Sequence, residues 1–102
     1  MAIAIATADG QLPNAKATLY TVPALTKAYI KGISLFNTGG GSETVRLYLN
    51  VAGTSRRMPQ IVLAASEGAD VGAFGLNAGD LIEGDTTTAT TVDYCINIVE
   101  ET

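Results

Sequence analysis

Hydrophobic and polar residues alternate with a period of two over residues 45–51, where Val45, Leu47, Leu49 and Val51 share one side and Arg46, Tyr48 and Asn50 the other. Successive side chains of a strand point to opposite faces of a sheet, so this segment is predicted to be a half-buried β-strand. Residues 29–36 form a second β-rich run, with Tyr29, Ile33 and Leu35 on one face and Ile30 and Phe36 on the other, which reads as burial in part on both sides. The intervening Asn37-Thr-Gly-Gly-Gly-Ser42 is turn material, and it makes the two runs a hairpin. Residues 17–22 alternate as well, with Leu19 opposite Tyr20 and Val22, until Pro23, which cannot donate to a ladder, stops the strand.

Downstream, residues 58–63 make a short strand that Pro59 places at an edge or near a strand start. Glu67-Gly68 turns the chain towards a strand over residues 71–74. Asn77-Ala-Gly79 is a further turn, after which Leu81-Ile82 begins a strand. The threonine-rich residues 85–91 suit a strand or a strand-flanking loop. A last strand covers residues 92–99, with Tyr94, Ile96 and Ile98 opposing Cys95, Asn97 and Val99. No stretch of ten or more residues sustains an apolar period of 3.6, and only residues 61–67 could form one helical turn. Seven to eight short strands with Gly/Asn/Asp/Ser turns predict an all-β, antiparallel β-sandwich, immunoglobulin-like or jelly-roll, over residues 15–102 as a single domain. Residues 1–14, in which Ile3 and Ile5 alternate with alanine before Asp9-Gly10 and Pro13-Asn14, are either an N-terminal arm that adds to a neighbour's sheet or the first strand of the same sandwich.

Composition removes most chemistry. The 102 residues hold no histidine, no tryptophan and one cysteine, and charged residues are 16% of the chain against about 25% in ordinary domains. A Ser/His/Asp or Cys/His system lacks its imidazole, a zinc site lacks its usual donors, and Cys95 has no partner for an intramolecular disulfide. Asp80, Glu83 and Asp85 lie close together but do not match the calcium-loop spacing, and Asp80 follows a glycine as turn aspartates do. Gly39-Gly-Gly41 lacks the Lys-Ser/Thr ending of a phosphate loop. Cys95, mid-strand, reads as a small buried thiol. No enzyme activity, cofactor or metal is expected. The net charge of −4 conceals a split: the first 57 residues hold all six basic residues and two acids, while the last 45 hold eight acids and no base. Arg56-Arg57 is too small a basic cluster for a nucleic-acid partner. No segment approaches the length of about 20 apolar residues needed for a membrane span.

The runs Gly10-Gln-Leu-Pro13, residues 17–24, Ile33-Ser-Leu-Phe-Asn-Thr-Gly39, Val45-Arg-Leu-Tyr-Leu49, Thr54-Ser-Arg-Arg57, residues 76–84 and Val92-Asp-Tyr94 together resemble the small β-sandwich virion proteins of tailed bacteriophages. The resemblance extends from Gly10 to Glu100 and consists of turn and strand signatures without catalytic content. It implies a structural role as a capsid decoration or cement protein, a head-fibre base or a tail-associated component, often as a homotrimer, with no cofactor. The expected partners are other copies of the chain and the major capsid protein, on the outer surface of the virion. A tail or fibre module that recognises a host surface is the alternative, although Phe74 is the nearest candidate for a loop aromatic. Contacts are expected at Ile3, Ile5, Leu12, Arg56 and Arg57.

Overall fold

The computed structural model describes residues 2–102, which form ten strands: β1 (Ile3–Gln11), β2 (Ala17–Thr21), β3 (Lys27–Asn37), β4 (Glu43–Val51), β5 (Thr54–Arg57), β6 (Ile61–Leu63), β7 (Gly68–Val71), β8 (Phe74–Leu76), β9 (Leu81–Thr86) and β10 (Val92–Glu101). They build two antiparallel sheets. Sheet A runs β1-β10-β3-β7, with β8 also on β3, and sheet B runs β2-β9-β4-β5, with β6 also on β4. Among the described residues there is no helix, including over 61–67. Two features raise the strand number above the expected seven to eight. Residues 54–57 pair with β4 as a hairpin, and the strand expected at 71–74 is instead two pieces on the same edge, broken at Gly72-Ala73.

With β7 and β8 counted as one interrupted strand and β5 as a hairpin excursion, nearly every connection crosses from one sheet to the other, including that from β3 to β4, which lie in different sheets and do not form the expected hairpin. The topology is that of a jelly roll, not of an immunoglobulin domain. Its core lies between the sheets, where Ile30, Ile33, Leu35, Ile96 and Ile98 of sheet A meet Val45, Leu47 and Ile82 of sheet B.

Register explains where the alternation in the sequence misleads. Opposite Asn97 and Ile98, β3 carries an extra residue, Lys31, so the chain changes phase and both Ile30 and Ile33 point inward. Tyr29 and Phe36 are left half-exposed on the outer face. A second bulge at Leu19 lets Leu19 and Tyr20 both pack on the core, although they are neighbours in sequence. The accessible surface is 5393 Å², close to the roughly 5,400 Å² expected for a folded monomer of this mass. The chain therefore closes its own core, and apolar residues left outside do not reflect an incomplete fold.

Candidate assembly surface

Residues 3–11 of the N-terminal segment pair with β10 along the whole of β1, from Ile3 opposite Glu101 to Gln11 opposite Asp93; Met1 lies outside the described residues. Small and large residues alternate on β1. Ala6 and Ala8 pack inward on the core, and Tyr94 lies against Gly10, so the large side chains are turned out. Ile3 is 67% exposed and Ile5 87%. In cross-strand register Ile5 stands beside Val99, and Val99 beside Tyr29, which forms an apolar row across three strands. Leu25, 91% exposed, precedes the Lys27 end of β3 and so stands at the same end of the sheet. Further along the outer face, Asp9, Gln11, Ser34, Phe36, Asp93 and Cys95 line an open groove of about 590 Å³.

The five residues expected at contacts are not brought together. Ile3 and Ile5 belong to the edge of sheet A. Arg56 and Arg57 are exposed on β5, at the far edge of sheet B, where Arg57 donates to Gln60 Oε1 at 3.1 Å. The Tyr20 hydroxyl donates across the sandwich to Glu100 Oε2 at 2.5 Å, which sets the β2 side of sheet B against the β1 side of sheet A. Leu12 corrects the expectation outright. It is fully buried, its N–H donates to Val92 O and its carbonyl accepts from Thr90 N–H, so no neighbouring subunit can reach it. Cys95 is also not the buried thiol expected from its mid-strand position. It faces outward, partly exposed, between Asp9 and Ser34.

Sheet B presents a different outer face, in which polar groups are bonded to one another. Arg46 pairs with Asp85 at 2.8 Å, and the Tyr48 hydroxyl donates to the same carboxylate at 3.3 Å. Lys16 lies 4.9 Å from the Tyr48 ring centroid and donates to Ser55, whose hydroxyl donates to Glu83. The carboxylates of Asp80, Glu83 and Asp85 thus have separate protein partners. Among the described residues no three His, Cys, Asp or Glu side chains are grouped to hold a metal ion.

Sequence reading missed the polar groups that fasten the loops. Glu43 is buried at the start of β4, and its Oε1 accepts from the Thr88 N–H at 2.8 Å, the Thr91 hydroxyl at 3.0 Å and the Thr86 hydroxyl at 3.1 Å. The Thr88 backbone bond, with help from the hydroxyls and against the cost of burial, holds the Glu43 carboxyl below its usual value. Asn37 is fully buried; its amide donates to the carbonyls of Gly41, Leu63 and Ala64, while its Oδ1 accepts from Gly39 N–H. The glycine-rich turn is therefore tied down. Asp80 accepts from Asn77 N–H at 2.9 Å within its own turn. Burial, then the nearby Asp9, pushes Tyr94 up, and burial followed by Glu100 does the same for Tyr20.

The charge split along the chain does not become two halves of the molecule. Basic β3, with Lys27 and Lys31, lies between acidic β10 and β7, and β9, with Glu83 and Asp85, lies beside β4. The strands of sheet A retain a net −3, from Asp9, Asp70, Asp93, Glu100 and Glu101 against the two lysines, while those of sheet B are neutral.

No family model matches the chain, and no curated protein sequence does. Solved structures do share the fold. One is a chain from the Bacillus endospore appendages, described as a novel family of disulfide-linked pili, at 19% identity and a TM-score of 0.58, covering 99% of this chain and 87% of that one. Another comes from the acid-stable capsid of Helicobacter pylori bacteriophage KHP30, at 11% identity and a TM-score of 0.61, covering 98% of this chain and 87% of that one. At these identities the likeness is one of fold. The chain is a β-sandwich of the kind found in a phage capsid and in a pilus.

Proposed function

We propose that this chain is a non-enzymatic structural subunit of a bacteriophage virion, which decorates the assembled head and makes contacts there with the major capsid protein and with copies of itself. The observation that carries this reading is the apolar row Ile5, Val99 and Tyr29 with Ile3 beside it, left outside a core that is already closed. On sheet B, by contrast, Lys16, Arg46, Tyr48, Ser55, Glu83 and Asp85 are bonded to one another, and the exposed Val51 and Val62 stand apart, at opposite ends of β4. The fold likeness to a capsid chain supports the virion setting. A disulfide-linked filament is disfavoured by chemistry. With one cysteine in these 102 residues, each copy can form one intermolecular disulfide, which joins two copies and stops, whereas a filament needs two links per copy.

A rigid sandwich suits such a role. Contacts made only on the assembled particle stabilise it by mass action, as any ligand stabilises the state it binds. Electron cryomicroscopy of the particle that carries the protein tests the reading. Density for the sandwich on the outer surface of the head is the expected result, and density confined to the tail would overturn it.

A further inference from the structure

We infer that β1 is a self-pairing edge: two copies of this chain join through antiparallel pairing of β1 with β1 about a twofold axis perpendicular to sheet A. The inference names the copy-to-copy contact of the assembly reading above and rests on it for its biological purpose. Ala2 and Thr102 exchange both backbone hydrogen bonds, and Leu12 N–H donates to Val92 O. Hydrogen-bonded and non-bonded pairs alternate along an antiparallel ladder, so the even residues of β1 bond to β10. The N–H and C=O groups of Ile3, Ile5 and Thr7 therefore point out of the sheet, where they are free to template another strand.

The other edges are blunted. The edge opposite β1 in sheet A is split into β7 and β8 and carries Asp70. In sheet B, β5 and β6 are short, are separated by a segment with Pro59, and carry Arg56 and Arg57. β2 is five residues long, with a bulge at Leu19 and Pro23 just beyond it. β1 is nine residues long, is unbroken, and bears one charge, Asp9. Twofold pairing of β5 would set arginines of two copies against each other, and pairing of β7 would do the same with Asp70. Pairing of β1 centred on Ile5 puts Ile5 opposite its copy and Ile3 opposite Thr7, and keeps the two Asp9 side chains at opposite ends. The twofold keeps both outer faces on the same side, so the rows through Ile5, Val99 and Tyr29 join into one apolar stripe. A threefold ring, which the sequence resemblance implies, would instead require β1 to pair with one of the blunted edges.

Sedimentation equilibrium of the full chain up to millimolar concentration, with Ile5→Pro and Ile5→Lys variants, provides the test. The Ile5 N–H is not used within the chain, so proline there removes outward bonds at the twofold and leaves the β1–β10 ladder whole. The expected result is a monomer–dimer equilibrium that Ile5→Pro weakens at least about tenfold, with circular dichroism unchanged. Slowed exchange of the Ile3, Ile5 and Thr7 amides at high concentration is expected with it. Should proline disturb folding, the slowed exchange of those three amides carries the test, because Ile5→Lys, which opposes two charges at an exposed side chain, would also break a contact made through the apolar row alone. A chain that stays monomeric, a trimer, or a dimer that a folded Ile5→Pro variant leaves intact would overturn the inference. A dimer broken by these variants in a protein absent from the head would refute the decoration reading alone, and head-borne density with β1 unpaired would refute the twofold alone.

Discussion

Replacing Glu43 by alanine removes the acceptor that holds the β9–β10 loop. Three donors converge on one oxygen, Oε1, but they are not equal. The Thr88 N–H has no competing acceptor. The Thr91 hydroxyl has one proton and a nearer acceptor in the Thr88 carbonyl at 2.7 Å, and the Thr86 hydroxyl divides its proton between Glu43 at 3.1 Å and the Thr44 carbonyl at 3.2 Å. The net worth is therefore one charge-assisted bond in full and fractions of two others. At about 1.5–3 kcal/mol for a bond to a charged group, less the desolvation that alanine relieves, the loss is roughly 2–3 kcal/mol. For a domain of this size each kcal/mol moves the melting temperature by about 4–8 °C, so a fall of roughly 10–20 °C is expected. Thermal unfolding followed by far-ultraviolet circular dichroism measures it, and amide exchange at Thr88 should accelerate. Glu43→Gln, which keeps an acceptor but no charge, should fall between the two. A Glu43→Ala protein melting within about 3 °C of the parent would show that the loop is held by the strands alone.

Because the folded Glu43 carboxyl titrates below its usual value of 4.5, its contribution is complete above that pH and is lost as the pH falls through the lower folded value. The difference in melting temperature between the parent and Glu43→Ala should therefore be flat from pH 7 to about 5.5 and shrink below 4.5; a difference that grows on acidification would contradict the assignment. Asn37→Ala takes donors from the carbonyls of Gly41, Leu63 and Ala64, of which the bond to Leu63 is buried, and should destabilise by about 1–3 kcal/mol in urea titration; a loss under about 1 kcal/mol would mean that water replaces the amide. A Cβ added at Gly84 would lie 3.0 Å from both Leu19 and Leu47 and 3.2 Å from the Arg46 carbonyl, so Gly84→Ala should cost about 1–3 kcal/mol by overpacking, and a neutral result would show that the two leucines can withdraw.

What the sequence revealed was whatever depends on one strand at a time. The alternation in β4 places Val45 and Leu47 in the core, as they are. The bulges at Leu19 and Lys31 belong to pairs of strands, and nothing within 17–22 or 29–36 states which partner will carry one residue fewer. The threonine-rich run shows the same limit. Its fastening to Glu43 spans more than 40 positions, so composition gave only strand or loop. Leu12, alone between polar residues and a proline, carries no periodic signal; its burial follows from the β1–β10 pairing running on to Val92. For β1 the alternation was visible but its sense was not. Isoleucine against alanine would ordinarily turn the isoleucines inward, whereas the alanines pack on the core and Tyr94 lies against Gly10, which leaves Ile3 and Ile5 outside.

That inversion matters because of how the rest of the backbone is fastened. Asn37 closes the β3–β4 turn against the segment after β6, Glu43 closes the β9–β10 loop, and Asp80 closes its own turn. Tyr20 and Glu100 tie the two sheets at the β1 side. Each clamp satisfies loop amides or carbonyls that would otherwise seek partners, and each blunted edge shortens the backbone available for pairing. The long unblunted edge that remains is β1, and its outward residues include the two isoleucines that the core did not take. An open edge and an exposed apolar row in the same nine residues reinforce each other, since hydrogen bonds fix the register in which the side chains meet. If association depended on the apolar row alone, Ile5→Pro, which keeps an apolar side chain, would be tolerated better than Ile5→Lys. If the ladder directs it, both should fail together.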